Sequence, residues 1–522
     1  MYNPPTFARG QIVSKSARLT LLLVFSFAGS VEAQGPAPNA YQVLMYSSTL
    51  PSGVMPSIYS YNSTPCQPSG CGAALTTASN FKAIPSIVGL TSALSASIGT
   101  ALSVIPVASP SSSVITITDP ETGAQLPASS TLGPIFAERG ETIGKHRVYV
   151  GISTQNFHFT SLNGEPLRQP LSMLDTGGQV SQILNSADQP VATYPSTYNL
   201  ATDVRLSQNV ALITYGVTSR FDVSVGLQVA HASIQSQTTN GQIYVGDGFN
   251  NTKQGNCWCV DTFTAGVPPG ATGVPGSGLI LSDINSSKYG ATGFGDMLLR
   301  FKGTVVQRSN LALAVGADLR LPTGDAQNFL GIGTTAIKPF LAASFYSKAL
   351  GHGIVLSPEL NVGWQFAGKS ILGGQIAATS SQTVNGVTEF GPPFTTTKNY
   401  LPDVFSWTVG TELALGPRST FVADILGNQI GWIHGIANTS TQSVAGVPVA
   451  QTTPGAAPVL VTATGLVSVV RVSYGQYSGA FGYKSRLYRD LVGTFNVLVR
   501  FDNNGLGLVD RSVLLFGLGY TF

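Results

Sequence analysis

The stretch SVLLFGLGYTF, residues 512–522, decides the fold. Leu514, Phe516, Leu518, Tyr520 and Phe522 fall on one face of an extended chain, and Val513, Leu515, Gly517, Gly519 and Thr521 on the other. Side chains alternate along a strand, so one face is bulky and apolar and the other small. A strand of about ten residues, when tilted, crosses the hydrocarbon of a bilayer. The bulky face then suits lipid and the small face a lumen.

The same alternation recurs upstream, and charges fall on the face opposite the apolar one. Asp222 alternates with Phe221, Val223 and Val225; Arg300 and Lys302 with Leu299 and Phe301; Asp318 and Arg320 with Leu319 and Leu321; Glu412 with Leu413 and Leu415. Twelve strands are expected, near 146–162, 202–217, 219–235, 292–306, 310–323, 334–348, 352–368, 402–415, 418–427, 466–484, 487–502 and 509–522, with fourteen left open as the alternative. Long connections (163–201, 236–291, 324–333, 369–401, 428–465) alternate with tight ones (218, 307–309, 349–351, 416–417, 485–486). The compact final connection, 503–508, falls on the long side. Long loops on one side and tight turns on the other are the pattern of an outer-membrane barrel. The barrel must close, because lipid offers a free sheet edge no hydrogen-bond partner. An even strand number puts both barrel ends on the periplasmic side. The fold class is therefore all-β, a transmembrane antiparallel up-and-down β-barrel over 132–522, in the bacterial cell outer membrane. Leu518, Tyr520 and Phe522 serve as its C-terminal barrel-assembly signature, which implies the barrel-assembly machinery and outer-membrane lipids as partners.

Composition agrees. Charged residues make up 10% of the 522-residue chain, where soluble domains carry about 25%. The formal net charge of +3 supplies no basic field for nucleic acid. Lys15 and Arg18 precede LTLLLVFSFAGSVEA at 19–33, with Val31 and Ala33 as small residues before a cut at Gln34. Residues 1–33 are the pattern of a secretory signal peptide. An N-terminal extension, 34–131, follows. Within it, Ile87, Leu90, Leu94, Ile98, Ala101 and Ile105 share a helical face over 87–105. The helix is expected in the periplasm, in the lumen as a plug, or packed under the barrel rim. Cys66 and Cys71, in CQPSGC, are spaced for a disulfide in an oxidising compartment. Cys257 and Cys259, in CWC, would form a strained ring; the pairing of the four cysteines stays open.

One motif points elsewhere. GWQFAGKS at 363–370 matches G-x-x-x-x-G-K-[ST], the phosphate-cradling P-loop. A P-loop needs a helix directly after it to aim backbone N–H groups at phosphate. Here ILGGQIAATSSQTVNG follows, with no helix start signal, so the match is read as the end of the seventh strand. No G-x-S-x-G nucleophile elbow occurs, and GQYSG at 475–479 has the wrong spacing. His146, His158, His231, His352 and His434 are scattered, with no metal-ligand spacing around the CWC pair. No enzymatic activity, catalytic residue, metal or cofactor is expected.

The lumen-facing candidates are Asp222, Asp296, Arg300, Lys302, Asp318, Arg320, Glu359, Glu412, Asp424 and Arg500. Their mixed signs suit a salt-bridged interior better than a single-sign filter. Two readings stand: the charges line a solute path, or they tie neighbouring strands together, with Asp318 and Arg320 facing Arg300 and Lys302 as the ladder. The second is favoured.

Three stretches carry a resemblance: LGPIFAERGETIGKHRVYVGISTQNFHF (132–159), GDMLLRFK (295–302) and LRLPTGDAQNFLGIGTTAIKPFL (319–341). Over roughly 80–522 the chain resembles outer-membrane barrels grouped under "meta-pathway of phenol degradation", and is more distantly similar to channels for fatty acids and hydrophobic compounds. The resemblance implies passive passage of a small solute, hydrophobic or aromatic. The alternative is a barrel that does not transport and acts through its long loops.

Overall fold

The computed structural model describes residues 85–107, 116–118, 125–127 and 131–522, the last without 170, 176–181, 185–189, 194–195, 244–248, 255–256, 264–278, 309, 347–355, 385–386, 417, 446–459 and 502–504. The expected leader, Cys66, Cys71 and His352 lie outside the described residues. Among those described, twelve strands close a barrel. They are β1 (Val148–Phe159), β2 (Ser196–Thr218), β3 (Phe221–Ile243), β4 in two pieces (Leu279–Phe294 and Met297–Gln307), β5 (Leu311–Leu321), β6 (Ala336–Phe345), β7 (Leu356–Ala367), β8 (Val404–Ala414), β9 (Ser419–Ala445), β10 (Leu460–Tyr488), β11 (Leu491–Arg500) and β12 (Ser512–Thr521). Each pairs antiparallel with the next. Both pieces of β4 pair with β3. β12 returns to β1, with Tyr520 opposite Val150, and the Phe522 N–H donates to the Val148 carbonyl at 2.8 Å.

Alternation explains the strands where they meet lipid. In β12, Leu514, Phe516 and Leu518 are about half exposed, while Val513 and Leu515 are buried. The outward residues of the other strands form a continuous apolar band that includes Ile213, Val305, Leu341, Ile425 and Phe495. Tyr215, Phe345, Phe421 and Tyr488 mark the short-turn end of that band, and Phe294, Trp364, Phe366 and Trp432 the long-loop end. Two aromatic girdles are where amphipathic rings meet lipid headgroups.

Several strands run further than the alternation suggests. β2 and β3 extend to Ser196 and Ile243, and β9 and β10 to Ala445 and Leu460, all at the long-loop end. In these extensions Leu200, Ile430, Ile433 and Ile436 are buried in apolar clusters of the lumen. Two expected loops contain ribbons of their own: Phe249–Gln254 pairs with Cys257–Phe263, and Ile376–Val384 with Val387–Thr396. GWQFAGKS is the end of β7 followed by Lys369 and Ser370 pairing with Tyr400 and Asn399. No helix N-terminus follows it there.

The inward face changes chemistry with height. On β3 it carries Asp222 and Ser224 near the short turn, then Ala230, Ala232 and Ile234 towards the long loops. Two internal elements fill the space. Residues 131–143 occupy the polar end. Helix α1 (Pro85–Val104) occupies the apolar end, so of the places expected for it the structure gives the lumen. From Leu90 to Ser103 every residue of α1 is buried, serines and threonines included. Leu90, Leu94, Ile98 and Leu102 pack in one cluster with inward residues of β1, β2 and β3 and with Leu372 and Leu401 of the loops. A helix walled on all sides has no solvent face, which is why Ser and Thr dilute its apolar stripe. Thr100 and Ser103 return their hydroxyl hydrogens to the carbonyls of Ala96 and Thr100, the local bonding that lets such residues be buried in a helix.

Candidate functional site: the filled lumen

Residues 131–143 (TLGPIFAERGETI) have no strand partner, so their backbone N–H groups need side-chain acceptors. The wall supplies them. The N–H of Leu132 donates to Thr420 Oγ1 on β9, Gly133 to Glu412 Oε2 on β8, Phe136 to Asp424 Oδ2 on β9, Glu138 to Asn361 Oδ1 on β7, Gly140 to Ser344 Oγ on β6 and Ile143 to Asp222 Oδ2 on β3. All six lie between 2.6 and 2.9 Å. The segment therefore walks around the inner wall from β9 towards β3, then enters β1. An extended chain advances about 3.3 Å per residue and neighbouring strands stand about 4.8 Å apart, so a step of one to two residues per strand is what the geometry requires.

Glu138 and Arg139 anchor this layer, and sequence reasoning missed both. Arg139 grips Glu412 with two nitrogens, at 3.0 and 2.7 Å, and reaches Glu359 at 3.4 Å. Its other guanidinium contact is Thr131 Oγ1. Glu138 takes Lys302 Nζ at 2.6 Å and Arg300 Nη1 at 2.8 Å. Arg139, Glu359, Glu412 and Lys302 are all essentially buried. Burial opposes the charge on Arg139, but the carboxylates of Glu412 and Glu359 outweigh it and hold the guanidinium above its ordinary value. Lys484 adds a contact to the Pro134 carbonyl, and Tyr346 donates to Glu141.

Each of the ten charges expected in the lumen has an internal partner. Asp222, Arg300, Lys302, Glu359, Glu412 and Asp424 contact residues 131–143. Asp318 binds Arg300 across β4 and β5 at 2.6 and 2.8 Å, the one rung of the expected ladder that forms. Arg320 instead donates to the Leu102 carbonyl at 2.7 Å, capping the C-terminus of α1 where carbonyls lack helical partners. Asp296 accepts the N–H groups of Gly324 and Ile332 and draws the 322–335 loop inward. Arg500 holds the carbonyls of Leu506 and Leu508 in the last loop. Leu518, Tyr520 and Phe522 lie on β12 or its end, with Tyr520 and Phe522 edge to face at 4.6 Å.

The histidines do not converge. His146 lies against Tyr215, His231 against Thr292 and His158 against Asp203. Among the described residues no group of three His, Cys, Asp or Glu could hold a metal ion.

A cavity of about 120 Å³ separates the two layers. Ser103, Ile105 and Val107 close it above, Phe136 below, and Arg300, Asp318, Arg320, Lys338, Gln365 and Trp407 at the sides. The wall is interrupted beside it. Between β6 and β7 the ladder pairs Ile337 with Phe366 and resumes only at Phe340 with Gly363. Pro339 sits in the interval and has no N–H to give. Trp364 stands opposite on the outer face, 48% exposed. Lys338 and Gln365 take the inner face of the same interval.

A closed antiparallel barrel, apolar outside and carrying both of its ends on the short-turn side, is an outer-membrane β-barrel. The family described as "Putative MetA-pathway of phenol degradation" matches residues 201–387. No curated protein matches by sequence. Among solved structures, the chain is similar to the COG4313 outer membrane channel from Pseudomonas putida F1, with 10% identity, a TM-score of 0.37, and 73% of this chain and 97% of that one covered. A Pseudomonas aeruginosa FadL homologue gives 10% identity, a TM-score of 0.27 and coverage of 72% and 90%. The CymD monoaromatic hydrocarbon channel gives 9%, 0.27, and 72% and 88%.

Proposed function

We propose that the protein passes small apolar or aromatic solutes across the outer membrane through its wall, not along an open aqueous pore. The interrupted ladder at Pro339 carries this reading. It lies between an aromatic lipid-facing residue, Trp364, and an internal cavity, while both lumen layers obstruct the axis. An apolar solute partitions from lipid into such a cavity without crossing bulk water. The family matched in sequence is consistent with an aromatic solute.

Pro339→Val tests the route. It supplies the missing N–H and lets the β6–β7 ladder close. Cells producing this variant are expected to take up labelled toluene more slowly than cells producing equal amounts of the native barrel. Equal rates, with the variant folded, reject the wall route. The filled lumen equally suits a barrel that transports nothing. Uptake by producing cells no faster than by cells lacking the protein would favour that second reading.

A further inference from the structure

The cavity between the layers is lined by three cations, Arg300, Arg320 and Lys338, and one carboxylate, Asp318. Arg300 is committed to Asp318 and Glu138, and Glu138 is shared with Lys302. Arg320 spends one nitrogen on the Leu102 carbonyl. The carboxylates that act on it are Asp296, bound to backbone N–H groups of a loop, and Asp318, already gripped by Arg300. Lys338 sits opposite Asp318 on β6, yet among the described residues it makes no hydrogen bond or ion pair within 4 Å. Its stem lies over Gly363, where an added Cβ would come within 2.8 Å of Lys338 Cε. That glycine, the first of the P-loop-like match, is thus explained by the room Lys338 needs. The second observation is Gln365. It is 8% exposed, lines the same cavity, and its Nε2 has no partner. A buried amide without a partner is destabilising.

The geometry points to a binding site for a small organic anion, a carboxylate on an apolar body. One carboxylate oxygen accepts from Lys338 Nζ and the other from Gln365 Nε2, with Arg320 adding its charge. The body packs against Ile105, Phe136, Val404 and Leu426, which line the remaining wall. An uncharged solute would leave Lys338 and Gln365 unmatched. This deepens the proposed function, since it names a solute class for the same cavity.

Equilibrium binding tests it without transport. The refolded full chain is titrated with benzoate, with toluene and with sodium chloride, followed by isothermal titration calorimetry. Benzoate is expected to saturate, and Lys338→Met to weaken it about 10- to 100-fold while leaving toluene unchanged. Lys338→Arg is expected to restore benzoate binding, and Gln365→Leu to weaken it less. Folding of each variant is checked by its heat-dependent gel mobility. Benzoate no tighter than toluene, or indifferent to Lys338→Met, overturns the site. Chloride giving the same saturable, Lys338-dependent signal reduces it to an inorganic anion site and removes the organic body. Benzoate binding without uptake by cells defeats the passage reading alone; uptake of toluene without a preference for benzoate in binding defeats the anion site alone.

Discussion

The two ends of one lumen are filled by opposite chemistry. At the short-turn end, residues 131–143 are held by ion pairs and by side chains that accept backbone N–H groups. At the long-loop end, α1 is held by apolar contact. The difference follows from what each filler does with its own backbone. A helix satisfies its peptide groups internally, so the wall around it need offer only Ala230, Ala232, Ile234 and their like. An extended segment without a ladder satisfies none, so the wall must supply Thr420, Glu412, Asp424, Asn361, Ser344 and Asp222. The polarity of the barrel interior is set by its plug as much as by any solute.

The largest test of that contrast is Arg139→Met. It leaves Glu359 and Glu412 buried without their shared cation, a loss expected to cost about 3–5 kcal/mol. Urea unfolding of the refolded barrel should show it, and adding Glu412→Gln should recover part. Leu94→Ala, in the apolar layer, removes buried methyl groups and should cost about 2–4 kcal/mol. Its effect should appear as faster hydrogen exchange in α1, with the 131–143 amides unchanged. Ser344→Ala removes the acceptor of the Gly140 N–H and should cost about 1–2 kcal/mol, read as faster exchange at Gly140 alone.

The smallest effect is one of pH. Burial pushes the Glu141 carboxyl up from its ordinary 4.5, against the hydrogen bond from Tyr346. A carboxyl raised in the folded state favours the fold while protonated. That contribution is complete below 4.5 and is lost as pH rises through the raised value. Glu141→Gln should flatten this part of the stability profile, and an unchanged slope between pH 4 and pH 7 would place the titration elsewhere.

The barrel was legible because lipid imposes a period of two: Leu514 to Phe522 can be read one residue at a time. The same rule ends where lipid ends, so the distal parts of β9 and β10 were invisible to it. Alternation leads one to expect the ten charges on the inward face, but it says nothing of their partners. Pairing each with the adjacent strand finds Arg300 with Asp318, whereas Arg139 and Glu412 are separated by 273 residues. A signal did exist. Glu359, Glu412 and Asp424 crowd on β7 to β9 while Arg300 and Lys302 crowd on β4, and such segregation asks for a bridging segment with both signs. The Glu138-Arg139 pair, directly after the apolar Pro134–Ala137, answers it. Lys338 and Gln365 share the inward parity of their strands and became meaningful only once the cavity and the missing ladder rungs were placed beside them.

Residues 131–143 are clamped to the wall across the lumen. Single-channel conductance in a planar bilayer tests it most directly, comparing the native chain with Glu138→Ala/Arg139→Ala. The native barrel is expected to be silent and the variant to show discrete, sustained openings. Large steady steps from the native chain, unchanged in the variant, would contradict it.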